Sequence, residues 1–283
     1  MISMNAIKLK ECGLIADRMR RKTLEMVRQA NSGHIGGSFS IAELLSVLYF
    51  DTLNVDPQNP KMEGRDRLVL SKGHCCPILY TALAMRGFFP MEDLMGFRSF
   101  ESYLSGHAEM NKVPGVDMST GSLGQGLSAG MGMALCAKTY KQDYTTYVIM
   151  GDGEIQEGQI WEAAMAAAMY KLDNLVGIVD KNSLQLDGPT KDVMDLGDVG
   201  AKFASFGWEV IEIDGHDVAA IADAFAKAKE IKGKPVLVIA NTVKGKGVSV
   251  FENEVRFHGG RPTAQEYEIA FAELDARIGK EEQ

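Results

Sequence analysis

Residues 147–158 read Tyr-Val-Ile-Met-Gly-Asp-Gly-Glu-Ile-Gln-Glu-Gly. The apolar run stops abruptly at Gly-Asp-Gly, and an alanine-rich pattern typical of a helix follows from Trp161 to Tyr170. This order predicts a buried parallel strand, a tight turn and then a helix. Doubly wound sheets bind their ligands outside the carboxyl ends of the strands, and Asp152 is predicted to lie at such an end.

A second apolar run, residues 175–180, leads into Asn182, and 28 residues (154–181) separate this Asn from Gly-Asp-Gly. A crossover helix between the two strands would place Asp152 and Asn182 side by side. Carboxylate and amide oxygens suit hard divalent cations, and Mg²⁺ usually completes its shell with water and substrate phosphates. A helix cap at Asp152 and an Asx-turn at Asn182 would explain the same residues without a ligand. The spacing and the two strands favour a metal and phosphate site.

The composition argues against several classes of protein. With 283 residues, 46% of them hydrophobic, the chain can bury a large core. A net charge of −8 without a basic block argues against nucleic acid or an anionic membrane surface as a partner. No stretch reaches the ~18 apolar residues of a membrane span, and no apolar signal core opens the chain. Because the four cysteines lack metal-binding or disulfide spacing, free thiols in the cytoplasm are predicted.

Strand and helix patterns alternate along the chain. They predict one α/β domain over residues 1–283, a doubly wound, mostly parallel sheet with helices on both faces, with an amphipathic helical extension over residues 5–30. Further strands are predicted at 68–70, 208–213 and 236–240, and further helices at 77–85, 127–138 and 218–231. Residues 181–200 are predicted to form a loop.

Two capping patterns predict where helices begin. Ser40, with Glu43 three residues later, has the spacing of a capping box for a short helix through Phe50. Thr263 and Glu266 have the same spacing at the start of the final helix. Both patterns predict that a hydroxyl and a carboxylate satisfy the free N–H groups of the first helical turn.

Four of the five histidines stand next to glycine in predicted loops: His34, His74, His107 and His258. Any one of them alone would more often be a packing or surface histidine. Four at the ends of strands or helices, where an α/β sheet binds ligands, indicate a functional site. The fifth, His216 in Asp-Gly-His-Asp, is predicted to make structural hydrogen bonds in a turn.

The motifs around these histidines resemble those of transketolases, in which they occur in the same order. They are Ser32-Gly33-His34, residues 71–74, Gly106-His107-Ala108-Glu109, residues 121–126, Gly-Asp-Gly at 151–153, Asn182 and Phe257-His258-Gly259. The match covers the N-terminal, diphosphate-binding part of a transketolase and is similar to the smaller subunit of enzymes split over two genes. Ala108, Ser122 and Lys181 depart from residues frequent in the family, which leaves acceptor preference open.

The resemblance implies a thiamine-diphosphate-binding fold and residues for the cofactor and its metal. Asp152, Asn182 and the main-chain carbonyl of Leu184 would hold Mg²⁺, or Ca²⁺ or Mn²⁺. Gly153 would lend its N–H to the diphosphate, because a turn at a helix start suits an anion. The other expected cofactor contacts are His74, Gly121, Ser122, Leu123, Glu157 and His258.

The resemblance also implies how a sugar phosphate is handled. His34, His107 and His258 would face the sugar and move protons, since an unperturbed pKa near 6.5 lets imidazole act as acid and base. Glu157 and Glu162 would join a carboxylate network toward the other half of the enzyme, although a solvated helix face explains Glu162 equally well. The implied reaction transfers a two-carbon ketol unit from a ketose phosphate to an aldose phosphate in pentose phosphate metabolism.

A partner chain is the last implication of the resemblance. In this family a glutamate from a second, pyrimidine-binding domain activates the cofactor, and the predicted strands suffice for one sheet only. We therefore expect a C-terminal transketolase subunit to complete the site, in a two-plus-two heterotetramer, and no activity without it. The clamp for the substrate phosphate is also expected there, because phosphate recognition favours Arg and the arginines here do not cluster near the histidine loops.

Other functions remain open from the residues alone. A 2-oxoacid dehydrogenase α chain or a 1-deoxyxylulose phosphate synthase would use the same cofactor, and a non-catalytic regulatory partner could share the fold. The late Phe257-His258-Gly259 and the Gly-His-Ala-Glu stretch favour a transketolase, because several histidines suit a polyhydroxylated substrate. A nicotinamide dehydrogenase is disfavoured, since no strand is followed by G-x-G-x-x-G with an acidic residue ~20 positions on.

Overall fold

The apolar runs of the sequence form the centre of a parallel sheet. The computed structural model of the chain describes residues 6–281, so residue 5 of the predicted first helix lies outside the described part. The strands are β1 (Arg67–Leu70), β2 (Thr146–Gly151), β3 (Leu175–Lys181), β4 (Leu184–Gln185), β5 (Gly188–Pro189), β6 (Glu209–Asp214) and β7 (Val236–Asn241). Five of them form one parallel sheet in the order β1-β2-β3-β7-β6, and β4 and β5 form a small antiparallel hairpin.

Helices cover both faces of this sheet. They are α1 (Ala6–Gln29), α2 (Ile35–Phe39), α3 (Ala42–Val47), α4 (Cys76–Arg86), α5 (Gln125–Thr139), α6 (Gly158–Met169), α7 (Thr190–Met194), α8 (Val199–Ser205), α9 (Val218–Glu230) and α10 (Ala264–Glu281). None of the helices within residues 6–281 has the length and apolar character needed to cross a membrane.

Strand β2 shows why the fold has two cores. Its side chains alternate between the two faces of the sheet, as the period of two in a strand requires. Tyr147 and Ile149 enter the core formed with α1, α3, α4 and α9. Val148 and Met150 enter the opposite core, formed with α5, α6 and α8. Both faces are buried, so the run is apolar without interruption, and the predicted α/β fold is confirmed.

The small residues of α5 let it lie directly on the sheet. A Cβ on Gly126 would collide with Ser71 at the end of β1, and a Cβ on Gly130 would collide with Val148 of β2. The helix therefore approaches the strands more closely than larger residues would allow. This close packing brings the start of α5 to the carboxyl ends of β1 and β2.

Two local predictions need correction. Residues 181–200 are not a loop throughout, because they contain the β4–β5 hairpin, α7 and the start of α8. Ser40 does not cap a helix: α3 begins at Ala42, and the hydroxyl of Ser40 donates to Asp180 Oδ2 at 2.7 Å and to Gly37 O at 3.0 Å. A buried carboxylate needs hydrogen-bond donors, because an uncompensated charge away from water is costly. α3 also ends at Val47, before Phe50, and a π-helical turn follows.

Two other local predictions are confirmed. The capping box at the final helix forms, with Thr263 N donating to Glu266 Oε2 at 2.8 Å and Glu266 N donating to Thr263 Oγ1 at 3.3 Å. His216 is structural: its Nε2 accepts from Val243 N at 2.8 Å, so its Nδ1–H points to Glu43 Oε2 at 3.0 Å.

A buried ion-pair network joins α1 to α3. Arg20 is fully buried and donates to Glu43 Oε2 at 2.6 Å and to Asp17 Oδ1 at 3.0 Å. Burial alone would raise the pKa of Glu43, but the charge of Arg20 and the hydrogen bond from His216 hold it at about 2. The ionised carboxylate is therefore part of the folded state.

We expect Glu43→Gln to change how stability depends on pH. The pKa of Glu43 in the folded protein lies below its unfolded value of 4.5. The ionised carboxylate therefore stabilises the fold above pH 4.5, and this contribution is lost as the pH falls toward 2. The variant should be less stable at pH 7 and should lose less stability on acidification, by up to about 3 kcal/mol. Urea denaturation at pH 7, 5, 4 and 3 measures this, with the exposed Glu230→Gln on α9 as the control. Parallel curves for parent and Glu43→Gln would contradict it.

Candidate functional site

A pocket opens at the carboxyl ends of the strands, where the order of elements predicts a ligand. Strands β1, β2, β3 and β7 each contribute residues from their ends or from the loops that follow. The lining residues that carry polar or charged groups are Lys72, His74, Asp152, Glu154, Asp180, Asn182, Lys244 and His258. Leu123, from the glycine-rich loop, and Leu184 supply apolar surface beside them.

Asp152 and Asn182 lie next to each other in this pocket. The register of β2 and β3 pairs Gly151 with Asp180 near the ends of the two strands. Asp152 and Asn182 each follow the last residue of their strand. The carboxylate of Asp152 accepts a hydrogen bond from the N–H of Ser183, the residue after Asn182. The structure therefore brings together the two oxygen-bearing side chains that the spacing predicts as neighbours.

The predicted metal ligands form an all-oxygen set. Within residues 6–281 no cluster of three or more His, Cys, Asp or Glu side chains could hold a metal. Asp152 offers a carboxylate, Asn182 an amide oxygen and Leu184 a main-chain carbonyl, which accepts from Lys244 Nζ at 2.8 Å. A few hard oxygen donors beside an anion site fit Mg²⁺, which relies on water and phosphate for its remaining ligands.

Asp180 orients Asn182, one of the predicted metal ligands, and the sequence did not identify this role. It is completely buried and accepts hydrogen bonds from Ser40 Oγ at 2.7 Å, Lys72 Nζ at 2.7 Å, Asn182 Nδ2 at 2.9 Å and Thr242 Oγ1. Because the amide nitrogen of Asn182 donates to Asp180, its amide oxygen is an acceptor, and it takes a hydrogen bond from Leu184 N at 3.1 Å, as in the Asx-turn considered from the sequence. An Asp that ends an otherwise apolar strand was the available signal.

The charges in the pocket are strongly coupled. Burial lowers the pKa of Lys72 and raises that of Asp180, but their ion pair outweighs burial, so the pKa of Lys72 is raised and that of Asp180 is lowered. Burial and the nearby charge of Asp180 raise the pKa of Asp152 to about 6. Burial and the charge of Lys72 lower the pKa of Lys244. Two cations and several carboxylates thus share one small space, as a site for a polyvalent anion and its counterion requires.

Glu154 is a second buried carboxylate that the sequence interpretation missed. Its Oε2 accepts from Gly151 N at 3.0 Å, and its Oε1 accepts from Gly124 N at 3.0 Å and from Ser71 Oγ. Burial raises its pKa. Glu154 therefore ties the Gly-Asp-Gly turn to the glycine-rich loop. Its position directly after Gly-Asp-Gly was the only local signal.

The two glutamates that the sequence predicted for the site, Glu157 and Glu162, do not line the pocket. Glu157 is exposed and packs its Cβ against Gly124, and Glu162 is exposed on α6. Their predicted place in a carboxylate network toward a partner stays a prediction. The N–H of Gly153, predicted to bind a diphosphate, donates to Asp152 Oδ1 at 2.8 Å. Ser122 is exposed beside Leu123 at the mouth of the pocket.

Three of the predicted histidines form one cluster. The ring centroids of His74 and His258 are 4.8 Å apart, those of His34 and His74 are 5.6 Å apart, and those of His34 and His258 are 6.4 Å apart. Burial and neighbouring positive charges lower the pKa of His34 and of His74 to about 4, and that of His258 to about 3. These pKa values lie well below the unperturbed value near 6.5 that was expected from the sequence. The three rings are therefore neutral at pH 7.

His107 lies at the side of this cluster. A Cβ on Gly121, whose φ of 147° favours glycine, would stand 3.0 Å from His107 Cδ2, so the ring packs on the glycine-rich loop. Burial, His74 and Arg98 lower the pKa of His107. The structure thus brings all four predicted histidines to the same end of the sheet.

Glycines allow the histidine loops to touch. A Cβ on Gly33 would overlap the carbonyl of Gly259, and a Cβ on Gly73 would stand 2.6 Å from Thr120 Oγ1. Gly33 precedes His34, and Gly259 follows His258. Close backbone approach between loops that are far apart in the sequence therefore explains why glycine stands beside these histidines.

The fold and the pocket define a thiamine-diphosphate-binding domain of the transketolase type. The sequence profile described as "Transketolase, thiamine diphosphate binding domain" matches residues 13–278. The chain belongs to the transketolase family, as an N-terminal, thiamine-diphosphate-binding chain of that family.

Two relatives have nearly the same length as this chain. It is 47% identical to an apulose-4-phosphate transketolase subunit of Phocaeicola vulgatus, covering 94% of this chain and 95% of that one. It is 45% identical to a 6-deoxy-6-sulfo-D-fructose transketolase subunit of a Clostridium species, covering 92% and 94%.

Other transketolases are much longer than this chain. Human transketolase is 40% identical over 89% of this chain, which spans 40% of the human protein. The solved transketolase of Pichia stipitis in complex with sedoheptulose-7-phosphate has a TM-score of 0.88 and 33% identity, covering 96% of this chain and 44% of that one. The chain thus spans less than half of these relatives.

We expect Gly33→Ala to separate the histidine loops. The new Cβ would overlap Gly259 O, so the 258–260 loop must shift, at a cost of about 1–3 kcal/mol in the free energy of unfolding. Gly13→Ala in α1 is the matched control, because a Cβ there meets nothing within 4 Å and should stabilise the helix by ~0.5–1 kcal/mol. Urea denaturation of both variants measures the difference. Equal stability of Gly33→Ala and the parent would contradict the contact.

Proposed function

We propose that this chain is the thiamine-diphosphate-binding subunit of a transketolase that transfers a two-carbon ketol unit from a ketose phosphate to an aldose phosphate. The observation that carries this proposal is the adjacency of Asp152 and Asn182 at two strand ends, in the same pocket as His74 and His258. Family membership supports the reaction class. The pentose phosphates of central metabolism are the proposed substrates, and the cytoplasm remains the predicted compartment.

The cofactor's diphosphate would bind at the charged end of the pocket. Asp152, Asn182 and the Leu184 carbonyl would hold a divalent ion, with Mg²⁺ the expected metal and Ca²⁺ or Mn²⁺ as substitutes. Lys72 and Lys244 supply positive charge beside this set. The remaining contacts proposed for the cofactor are Gly153, His74, His258, Glu157 and the loop residues Gly121, Ser122 and Leu123. When bound, thiamine diphosphate supplies the stabilisation of a carbanion that carbon–carbon bond exchange requires.

The histidines would handle the hydroxyl groups of the sugar. A neutral imidazole offers one N–H donor and one acceptor nitrogen, so these rings can hydrogen-bond sugar hydroxyls, while their lowered pKa values make them weak proton acceptors at pH 7. His34 and His258 lie edge-on to each other beside the Gly33–Gly259 contact, and the ring of His107 packs on the glycine-rich loop. This arrangement supports several simultaneous hydrogen bonds to one polyhydroxylated substrate.

The relatives of the same length broaden the proposed donor from a ketose phosphate to a ketose that carries either a phosphate or a sulfonate. They act, by their names, on apulose 4-phosphate and 6-deoxy-6-sulfo-D-fructose. We propose that the donor of this chain belongs to the same chemical class, a ketose with an anionic tail. An assay should therefore include these two ketoses beside xylulose 5-phosphate, with ribose 5-phosphate as acceptor.

A second chain is part of the proposal. Relatives of the same length are named as subunits, and a C-terminal subunit with a pyrimidine-binding domain would complete the cleft in a two-plus-two assembly. On α6, Glu162, Met165 and Met169 share one exposed face by their helical spacing. The side chains of Met165 and Met169 are 57% and 78% exposed, and exposed apolar side chains on one face suit a protein interface. Glu162 would then face the partner.

We expect Asp152→Asn to abolish cofactor retention. The substitution removes the charged ligand of the ion, and even changes to outer-shell residues weaken metal sites by roughly 10–100-fold. Calorimetric titration of thiamine diphosphate with Mg²⁺ into the two-subunit protein measures the effect, and EDTA should release cofactor from the parent. Asp223→Asn, on the exposed face of α9, is the control with the same charge change. Cofactor affinity equal to the parent's would refute the metal assignment.

Ketol transfer should need both subunits. The chain alone should show no turnover, and adding the C-terminal subunit from the same organism should restore it. The double variant Met165→Glu/Met169→Glu should weaken assembly at least about 10-fold, because charges would be buried at the interface. Sedimentation velocity measures assembly, and Met95→Glu, an exposed Met of another segment, is the control. Full activity of the isolated chain would overturn the need for a partner.

A further inference from the structure

Arg98 lies beside the histidine site, although the sequence indicated no arginine there. It follows the buried Phe97 and has a left-handed backbone, with φ of 61°. Its N–H donates to Leu104 O at 2.8 Å, which turns the loop back on itself. The guanidinium then lies against Gly106, where a Cβ would overlap it and would stand 2.7 Å from Arg98 Cζ. Gly106 thus makes room for Arg98 directly before His107.

Hydrogen bonds from α4 fix the loop that carries Gly106 and His107. Tyr80 Oη donates to Ser105 O at 2.9 Å and to His107 O at 3.1 Å, and Cys76 Sγ donates to Gly106 O at 3.2 Å. The ring of Phe97 packs edge-on against Tyr80 at 6.1 Å. Buried groups of α4 therefore fix both sides of the contact between Arg98 and Gly106.

No carboxylate pairs with Arg98 in the part of the chain that the structure describes. Its guanidinium lies 5.7 Å from the ring of Phe97, and the side chain is otherwise exposed. The charge of Arg98 lowers the pKa of both His34 and His107, although burial and His74 lower these pKa values more. The other cations of the cleft have partners: Lys72 bonds to Asp180, and Lys244 bonds to Leu184 O. Arg98 is thus an available positive charge on the His107 side.

We propose that Arg98 binds the anionic tail, a phosphate or sulfonate, of the sugar substrate. An Arg fork matches the oxygens of a tetrahedral anion, and residues 6–281 place no carboxylate against it. The inference rests on the proposed function, and it corrects the expectation that the anion clamp belongs wholly to the partner. Arg98 acts as a specificity-determining residue: it separates sugars with a charged tail from neutral ones.

The test uses the assembled two-subunit enzyme with Arg98→Gln, Arg98→Lys and the control Lys234→Gln. Lys234 pairs with Glu209 at the opposite end of the sheet, so its substitution removes the same charge away from the histidines. Arg98→Gln should raise KM for xylulose 5-phosphate about 10-fold or more, with little change in kcat and little change for unphosphorylated xylulose. Arg98→Lys should keep part of the preference. Assays with 6-deoxy-6-sulfo-D-fructose show whether sulfonate is bound in the same way.

A binding measurement separates this inference from the proposed function. The dissociation constants of ribose 5-phosphate and ribose, measured by calorimetry, need no turnover. Absence of ketol transfer in the parent would refute the function, while the ratio of the two constants would still test Arg98. A smaller ratio of the ribose constant to the ribose 5-phosphate constant in Arg98→Gln than in the parent supports the inference. An unchanged affinity for thiamine diphosphate excludes a general loss of structure. An unchanged ratio in both Arg98 variants, or an equal loss for neutral and phosphorylated sugars, would overturn it.

Discussion

The hydrogen bonds and ion pair of Asp180 are the constraint on which the rest of the site depends. This carboxylate is fully buried at the end of β3, where an unpaired charge would be very costly. Four donors compensate it: the ammonium of Lys72, the amide of Asn182 and the hydroxyls of Ser40 and Thr242. Each donor comes from a different segment around the pocket. One buried charge thereby fixes the relative positions of the segments that carry the proposed cofactor site.

Electrostatics divides the cleft into two regions. At the strand ends, Asp152, Asp180 and Lys72 place charges of both signs around the predicted metal ligands. At the histidine loops, burial and neighbouring cations keep the imidazoles neutral, and Arg98 stands beside them. A diphosphate with its metal suits the first region, and a polyhydroxylated sugar with an anionic tail suits the second. The two proposed ligands would therefore meet where these regions adjoin.

The sequence could predict the parts of this site that depend on neighbours along the chain. The spacing of Gly-Asp-Gly and Asn182, with an apolar run before each, placed both at the end of the same sheet, and the glycine-flanked histidines were found in the same way. It could not identify Asp180, whose partners Ser40 and Lys72 lie 140 and 108 residues away. It could not identify Glu154 as the link to a loop, because Ser71 is 83 residues away. No local periodicity encodes such contacts.

The sequence by itself determined the parallel α/β sheet, because continuous apolar strands separated by helices leave few other ways to bury both faces of a sheet. It also determined the family and the residues offered to a cofactor, because these lie in contiguous motifs. Only the tertiary structure decided which carboxylates are buried and paired, which histidines share one cluster, and that Arg98 lies over Gly106. These properties depend on desolvation and on contacts between distant segments, and both exist only once the chain has folded.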